Sequence, residues 1–222
     1  MFQTYLRAFV TLFFLSLGFT VFGQGASNKG TDFWLGYGKH TSVGEMSVYI
    51  TSDVATIATV SIANLNFSKT VTIPANGIVT VAIPKEAHLA SDGLSQNGIH
   101  ITSIKPIIVY AHIYASSVSG ATLVLPVNAL GKEYYSINYK QISNSKGAVS
   151  WFFVVAVEDD TEVEITPSED TQGGWLANTT HTVNLKKGEI YNVLGNYNDV
   201  GKNSLGGDLT GSKIKSVSSN GS

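Results

Sequence analysis

One strand phrase occurs twice in this chain. Residues 48–62 read VYITSDVATIATVSI and residues 154–165 read VVAVEDDTEVEI; each is followed by a matching pair, TVTIPANGIVTV at 70–81 and TVNLKKGEIYNV at 182–193. Most of these runs alternate apolar with hydroxyl or charged side chains at a period of two, which places one strand face in a core and the other in water. A duplicated set of such strands calls for a layered β architecture, because each apolar face must be covered by another sheet. The copies differ at their ends. The first runs on through GIHITSIKPIIVYAHIYA at 98–115, whereas the second reaches GSKIKSVSSNGS at 211–222 without the apolar half of that segment. The expectation is an all-β fold of two packed antiparallel β-sandwich-like modules related by internal duplication. The second module is expected to be incomplete, its polypeptide continuing past Ser222.

Strand runs fall at 47–52, 58–62, 70–73, 78–83, 98–103 and 107–115, then at 122–125, 134–139, 150–157, 162–167, 181–185 and 189–193. Gly, Asn, Asp and Pro separate them at short intervals, as in PANG at 74–77 and KKG at 186–188. Only KEAHLA at 85–90 has the pattern of a helical turn. SWFFVVAV at 150–157 is apolar at nearly every position, which predicts a central strand covered on both faces. The polar stretch QISNSKGA at 141–148 is the natural boundary, so the modules are expected over 24–140 and 148–222.

Bulk properties narrow the function classes. Charged residues make up 14% of the 222 and the formal net charge is -2, against a norm of roughly 25% charged residues. Neither a nucleic-acid footprint nor a polybasic membrane patch fits such a balance. Arg7 precedes a short apolar stretch, Ala8–Phe22, and then Gly23 and Gln24, the arrangement of a secretory signal peptide over residues 1–23. That core is shorter than the ~20 residues a spanning helix needs, so no membrane span is expected after cleavage. There is no cysteine; an exported chain of this kind relies on its apolar core and carries no disulfide staples.

Candidate chemistry is sparse. Tyr110, His112 and Tyr114 share one face of the strand IIVYAHIY, and three flat rings in a row can make a stacking platform for a sugar or an aromatic group. The ordinary expectation for such a face is burial beneath a second sheet or loop. In the loop at 195–211, Asn196, Asn198, Asp199, Asn203 and Asp208 are oxygen donors of the kind calcium uses. Their spacing lacks the closing acidic residue of a known calcium loop, so an ordinary loop is the expectation and no metal or other cofactor is assigned. Glu158-Asp159-Asp160 resembles a carboxylate pair, but Asp159 repeats Asp53 of the first copy. Both are read as turn residues whose carboxylates accept from backbone two residues on. None of His40, His88, His100, His112 and His181 has metal-ligand spacing, and there is no G-x-S-x-G, P-loop or G-x-G-x-x-G. The S-x-x-K at 143–146 sits in a polar turn without the helix that motif needs. No enzyme activity is expected.

GTDFWLGY at 30–37 and ATLVLPVNALGKEYY at 121–135, together with ITSDVATIATVSI before and DLTGSKIKS at 208–216 after, resemble the IgG-Fc-binding-protein N-terminal domain family. The resemblance covers the chain from about Gly30 onward. It implies a large secreted bacterial protein, notably of the Bacteroidetes type, with a surface or adhesion role and further domains downstream. Animal members attach cysteine-rich modules that this chain lacks, so immunoglobulin binding is not carried over. In family members the DLTGS-type segment leads into a strand resembling K/RPVAVFSG, which is absent here. The expected function is non-catalytic adhesion or recognition of an extracellular glycan or protein. A structural spacer, or an accessory module of a secreted hydrolase, is the alternative.

Overall fold

The computed structural model describes residues 27–40, 43–115 and 118–218; the signal-peptide assignment at 1–23 lies outside them. The chain is all-β with antiparallel sheets. Its strands are β1 Gly30–Leu35, β2 Glu45–Ser52, β3 Thr56–Ile62, β4 Phe67–Ile73, β5 Gly77–Ile83, β6 Gly93–Ser95, β7 Ile99–Ala115, β8 Val118–Val124 and β9 Glu133–Tyr135. They continue as β10 Ile142–Ser143, β11 Trp151–Val155, β12 Thr161–Thr166, β13 His181–Leu185, β14 Ile190–Leu194, β15 Tyr197–Val200, β16 Asn203–Gly206 and β17 Lys213–Ser216. KEAHLA gives only a short 3-10 turn, Lys85–Ala87.

A seven-stranded sheet, order β4-β3-β7-β2-β5 with β1 and β8 also on β7, forms the first half and curls into a half-barrel. Sequence reading divides 98–115 into two strands, but it is one strand of 17 residues that serves two sets of neighbours. Its first part, from Ile99 to Ser103, pairs with β1 and β3, and its second, from Ile108 to Tyr114, pairs with β2 and β8. Pro106 lies at the change of partners, where a residue without an N–H removes a ladder bond. Two buried hydroxyls serve the main chain there. Ser52 Oγ donates to the Pro106 carbonyl at 2.9 Å, and Thr56 Oγ1 accepts from Lys105 N at 3.1 Å. The alternating residues Val48, Ile50, Val60, Ile62, Ile107 and Val109 then meet in one closed core.

The second copy repeats the first in register. Ala58 faces Val71 and Val163 faces Val183; Ile50 faces Val79 and Val154 faces Tyr191. The matched turns each hold one left-handed residue, Asn76 at φ 55 and Gly188 at φ 82. Strand β17 stands to β12 as the start of β7 stands to β3, with Ile214 opposite Ile165 where Ile101 is opposite Val60. Beyond what the sequence phrases disclose, β9 stands to β17 as β1 stands to β7. Trp34 faces His100, and Tyr135 faces Lys213. GTDFW and GKEYY are thus the same element of the two copies, even to the bond each carboxylate makes, Asp32 to His100 and Glu133 to Lys213, both 2.9 Å.

Two expectations need revision. Strand β11 is not central: in the three-stranded sheet β11-β14-β6 it is an edge, and all five of its residues are half-exposed. Apolar character on both faces here reflects contact with the first half on one side and with its own core on the other, not a neighbouring strand. Nor do the pairings follow the polar stretch at 141–148. Residues Glu133–Tyr135 join the sheet of β12, and β6 from the first half joins β14. Around β6, Asn192 Nδ2 donates to the Ser91 carbonyl at 2.8 Å and Asp92 Oδ2 accepts from Leu194 N at 2.7 Å. Nearby, Gly98 sits so close to Gly188 that a Cβ would lie 2.1 Å from the Gly188 carbonyl oxygen.

Gly98→Ala should therefore force the halves apart and cost about 1–3 kcal/mol, the usual range for overpacking, read as a lower melting temperature. Asp92 gives a pH test. Burial raises its pKa above 3.8, partly offset by bonds from Leu194 and Gly173. The folded state thus binds this proton more tightly than the unfolded chain, and stability falls as pH climbs from 3.8 through the folded value. The melting temperature of the native protein minus that of Asp92→Asn should decline over that window and level off above it. A difference that grows with pH refutes the assignment.

Candidate functional site

The second half of β7 carries the ring row singled out from sequence, and no second sheet covers it. Tyr110 and Tyr114 keep 42% and 48% of their surface exposed, which overturns the expectation of burial. The cause is the pleat. Val109 and Ala111 turn inward into the closed core, so Tyr110, His112 and Tyr114 must turn outward. On this outer face Tyr49 of β2 and Leu123 of β8 lie opposite Tyr110, while Ser47 and Ala121 flank His112. The small neighbours leave the imidazole room, and Tyr49 bonds to His112 Nδ1 at 3.4 Å with ring centroids 5.8 Å apart. Tyr114 is tilted against His112 at 6.3 Å on the other side. Tyr49 is the member that sequence reading missed. Its signal was the outward series Ser47, Tyr49, Thr51 beside buried Met46, Val48 and Ile50.

Such a face offers edge and face contacts of aromatic rings, one imidazole able to donate or accept, and phenolic hydroxyls, all on central, doubly paired strands. Glu45 of β2, opposite Tyr114, adds an exposed carboxylate to the same face. Its chemistry is that of stacking and hydrogen bonding to a surface.

The loop candidates are scattered over a hairpin. Asn198 and Asp199 are consecutive on β15, where side chains alternate between faces, and Asn203 begins β16. Asp199 accepts from Gly147 N at 3.2 Å, and Asp208 accepts from Thr210 N at 2.9 Å. Hydrogen bonds from Thr210 hold the Asp208 carboxyl below its ordinary range. Asn196 hands its backbone N–H to the Asp170 carbonyl. Among the described residues no three His, Cys, Asp or Glu side chains gather to hold a metal.

The repeated aspartates sit in turns, as expected, but bond differently. Asp53 pairs with Lys29, and Asp159 accepts from Lys187 N at 3.0 Å across to the β13–β14 turn. The remaining histidines have local structural partners. His100 stacks on Trp34 at 4.0 Å, His181 stacks on Trp175 at 4.4 Å, and His88 Nε2 accepts from His40 N at 3.2 Å. Burial first, and then the charge of Lys39, lowers the His88 pKa. An apolar cleft of about 440 Å³ lies where the halves meet, between Ala111 and Ile113 of β7 and Trp151 and Phe153 of β11.

Residues 120–220 match the family described as IgGFc binding protein. No curated protein and no solved structure matches the chain. The matched span begins within β8 and runs through β17, while the ring row of Tyr49, Tyr110, His112 and Tyr114 lies wholly upstream of it. Over residues 120–220, then, the chain is similar to the family described as IgGFc binding protein.

Proposed function

We propose that this chain is a non-catalytic recognition domain of a secreted or cell-surface protein, binding an extracellular glycan or protein through the face of Tyr49, Tyr110, His112 and Tyr114. The observation that carries this reading is the exposure of an aromatic row on strands paired on both sides. A rigid platform gives up little conformational entropy on binding, and Tyr supplies contact area with few rotatable bonds. The match of residues 120–220 to a family of binding-type domains supports it, and that family suggests a protein-type ligand. The apolar stretch Ala8–Phe22 supports export, and no helix among the described residues is long and apolar enough to cross a membrane. Further domains on the same polypeptide would set where the face is displayed.

The alternative of a spacer makes the opposite demand on the same face, since a stalk needs no partner there. The double variant Tyr110→Ala/Tyr114→Ala separates them. Both rings are exposed, so stability should change by no more than about 1 kcal/mol. Capture on a glycan array or on immobilised mucin glycoprotein should fall at least tenfold, on the order of 1.4 kcal/mol. Unchanged capture removes the face from recognition. No capture by the native protein on either surface favours the spacer.

A further inference from the structure

Granted the recognition reading above, we infer that the ring face takes an arginine side chain from an extended segment of a protein partner. The guanidinium stacks on Tyr114 and donates its N–H groups to the Glu45 carboxylate.

Charge comes first. Tyr114 of β7 lies between Glu45 of β2 and Ser119 of β8. The phenol ring is half-exposed, Glu45 is exposed, and Ser119 is too small to cover the ring's other flank. Among the described residues the Glu45 carboxylate makes no hydrogen bond and no ion pair, and Lys85, just past the end of β5, leaves it unpaired. Of the outward residues that β2, β5, β7 and β8 place on this face, Glu45 is the one carboxylate and none is Lys or Arg. An acidic glycan would set like charge against Glu45, and a neutral one would leave that charge unanswered.

Geometry selects the cation. Residues directly opposite on antiparallel strands hold their Cβ atoms about 5 Å apart, so one planar group can lie over the phenol and reach the carboxylate. The strands meet closely at this end, since no Cβ fits between Gly44 and the Tyr114 carbonyl. A guanidinium is flat, stacks on an aromatic ring and offers two parallel N–H groups to a carboxylate. An ammonium matches the charge without the flat face.

The ring spacing sets the approach. Tyr110, His112 and Tyr114 recur at every second residue, roughly 7 Å along the strand. Alternate side chains of an extended peptide have the same repeat, so a peptide lying over β7 puts its next two same-face residues above His112 and Tyr110. Ser47 and Ala121 leave room beside His112, whereas Leu123 and Tyr49 flank Tyr110 and call for an apolar residue four positions from the arginine.

The probes are the capped peptides Thr-Arg-Thr-Ala-Thr-Leu-Thr and its reverse, Thr-Leu-Thr-Ala-Thr-Arg-Thr, titrated into the full chain with amide NMR. Expected are saturable binding of one of them, shifts at Glu45 and Tyr114, and a loss of about fivefold or more when citrulline replaces the arginine. Glu45→Gln should cause a loss of the same size; if that variant does not fold, the citrulline comparison decides. No binding of either peptide at millimolar concentration, equal binding of the citrulline peptide, or full affinity in folded Glu45→Gln overturns the proposal. Binding that survives Tyr110→Ala/Tyr114→Ala lies elsewhere and overturns it too. Glycan capture that is lost in that double variant, without arginine-dependent peptide binding, keeps the face as a recognition surface and removes only its arginine ligand.

Discussion

The change of partners along β7 is the constraint on which the first half depends. A single strand closes a curled sheet only if it leaves one pair of neighbours and takes up another without stranding buried main-chain groups. Here the exchange happens at Lys105 and Pro106, and the two groups in question are met by the hydroxyls of Thr56 and Ser52. Those hydroxyls are buried, at 7% and 4% exposure, and would be costly there without such bonds. Because the crossing is satisfied, Ile101 and Ile107 can both reach one core from opposite sides of the bend.

Among the described residues of the second half, β14 is the strand paired with β11. The sheets of that half are separate, β11-β14-β6 and β13-β12-β17-β9. Its core is a smaller cluster around Val163, Ile165, Leu185 and Ile214. Contacts with the first half also cover part of the second. The ring of Trp151 lies against Gly38, where any Cβ would collide with it at 2.1 Å, and β6 adds to the far edge of β14. The halves therefore depend on one another in a way that independent modules do not.

Much of this was legible in the residues, because a period of two leaves little freedom. The strand–turn–strand phrases gave the four repeated strands of each copy and their turns, and the alternation in IIVYAHIY gave the correct grouping of Tyr110, His112 and Tyr114. What escaped was nonlocal. Nothing in SWFFVVAV reveals which strands lie beside it, since a half-buried edge and a buried centre are both apolar on two faces. The kinship of GTDFW with GKEYY was hidden by conservative exchange at nearly every position, Asp for Glu and Phe or Trp for Tyr. It emerges only when both are seen paired to equivalent strands. A dividing line through 141–148 was inferred from polarity, yet strand pairing, not polarity, decides which segments share a core.

The ring row follows from the pairing of β2 with the second part of β7. Where a strand lies beside β2, its inward residues finish the core and its outward residues become a supported, solvent-facing surface. Tyr49 and His112 can meet there only because β2 and β7 hold them on adjacent, paired backbones. Along β11 the described residues leave a gap beside its outward backbone groups. The duplication thus places the same strands in both copies, and the pairing of β2 with β7 sets the outward ring face of the first.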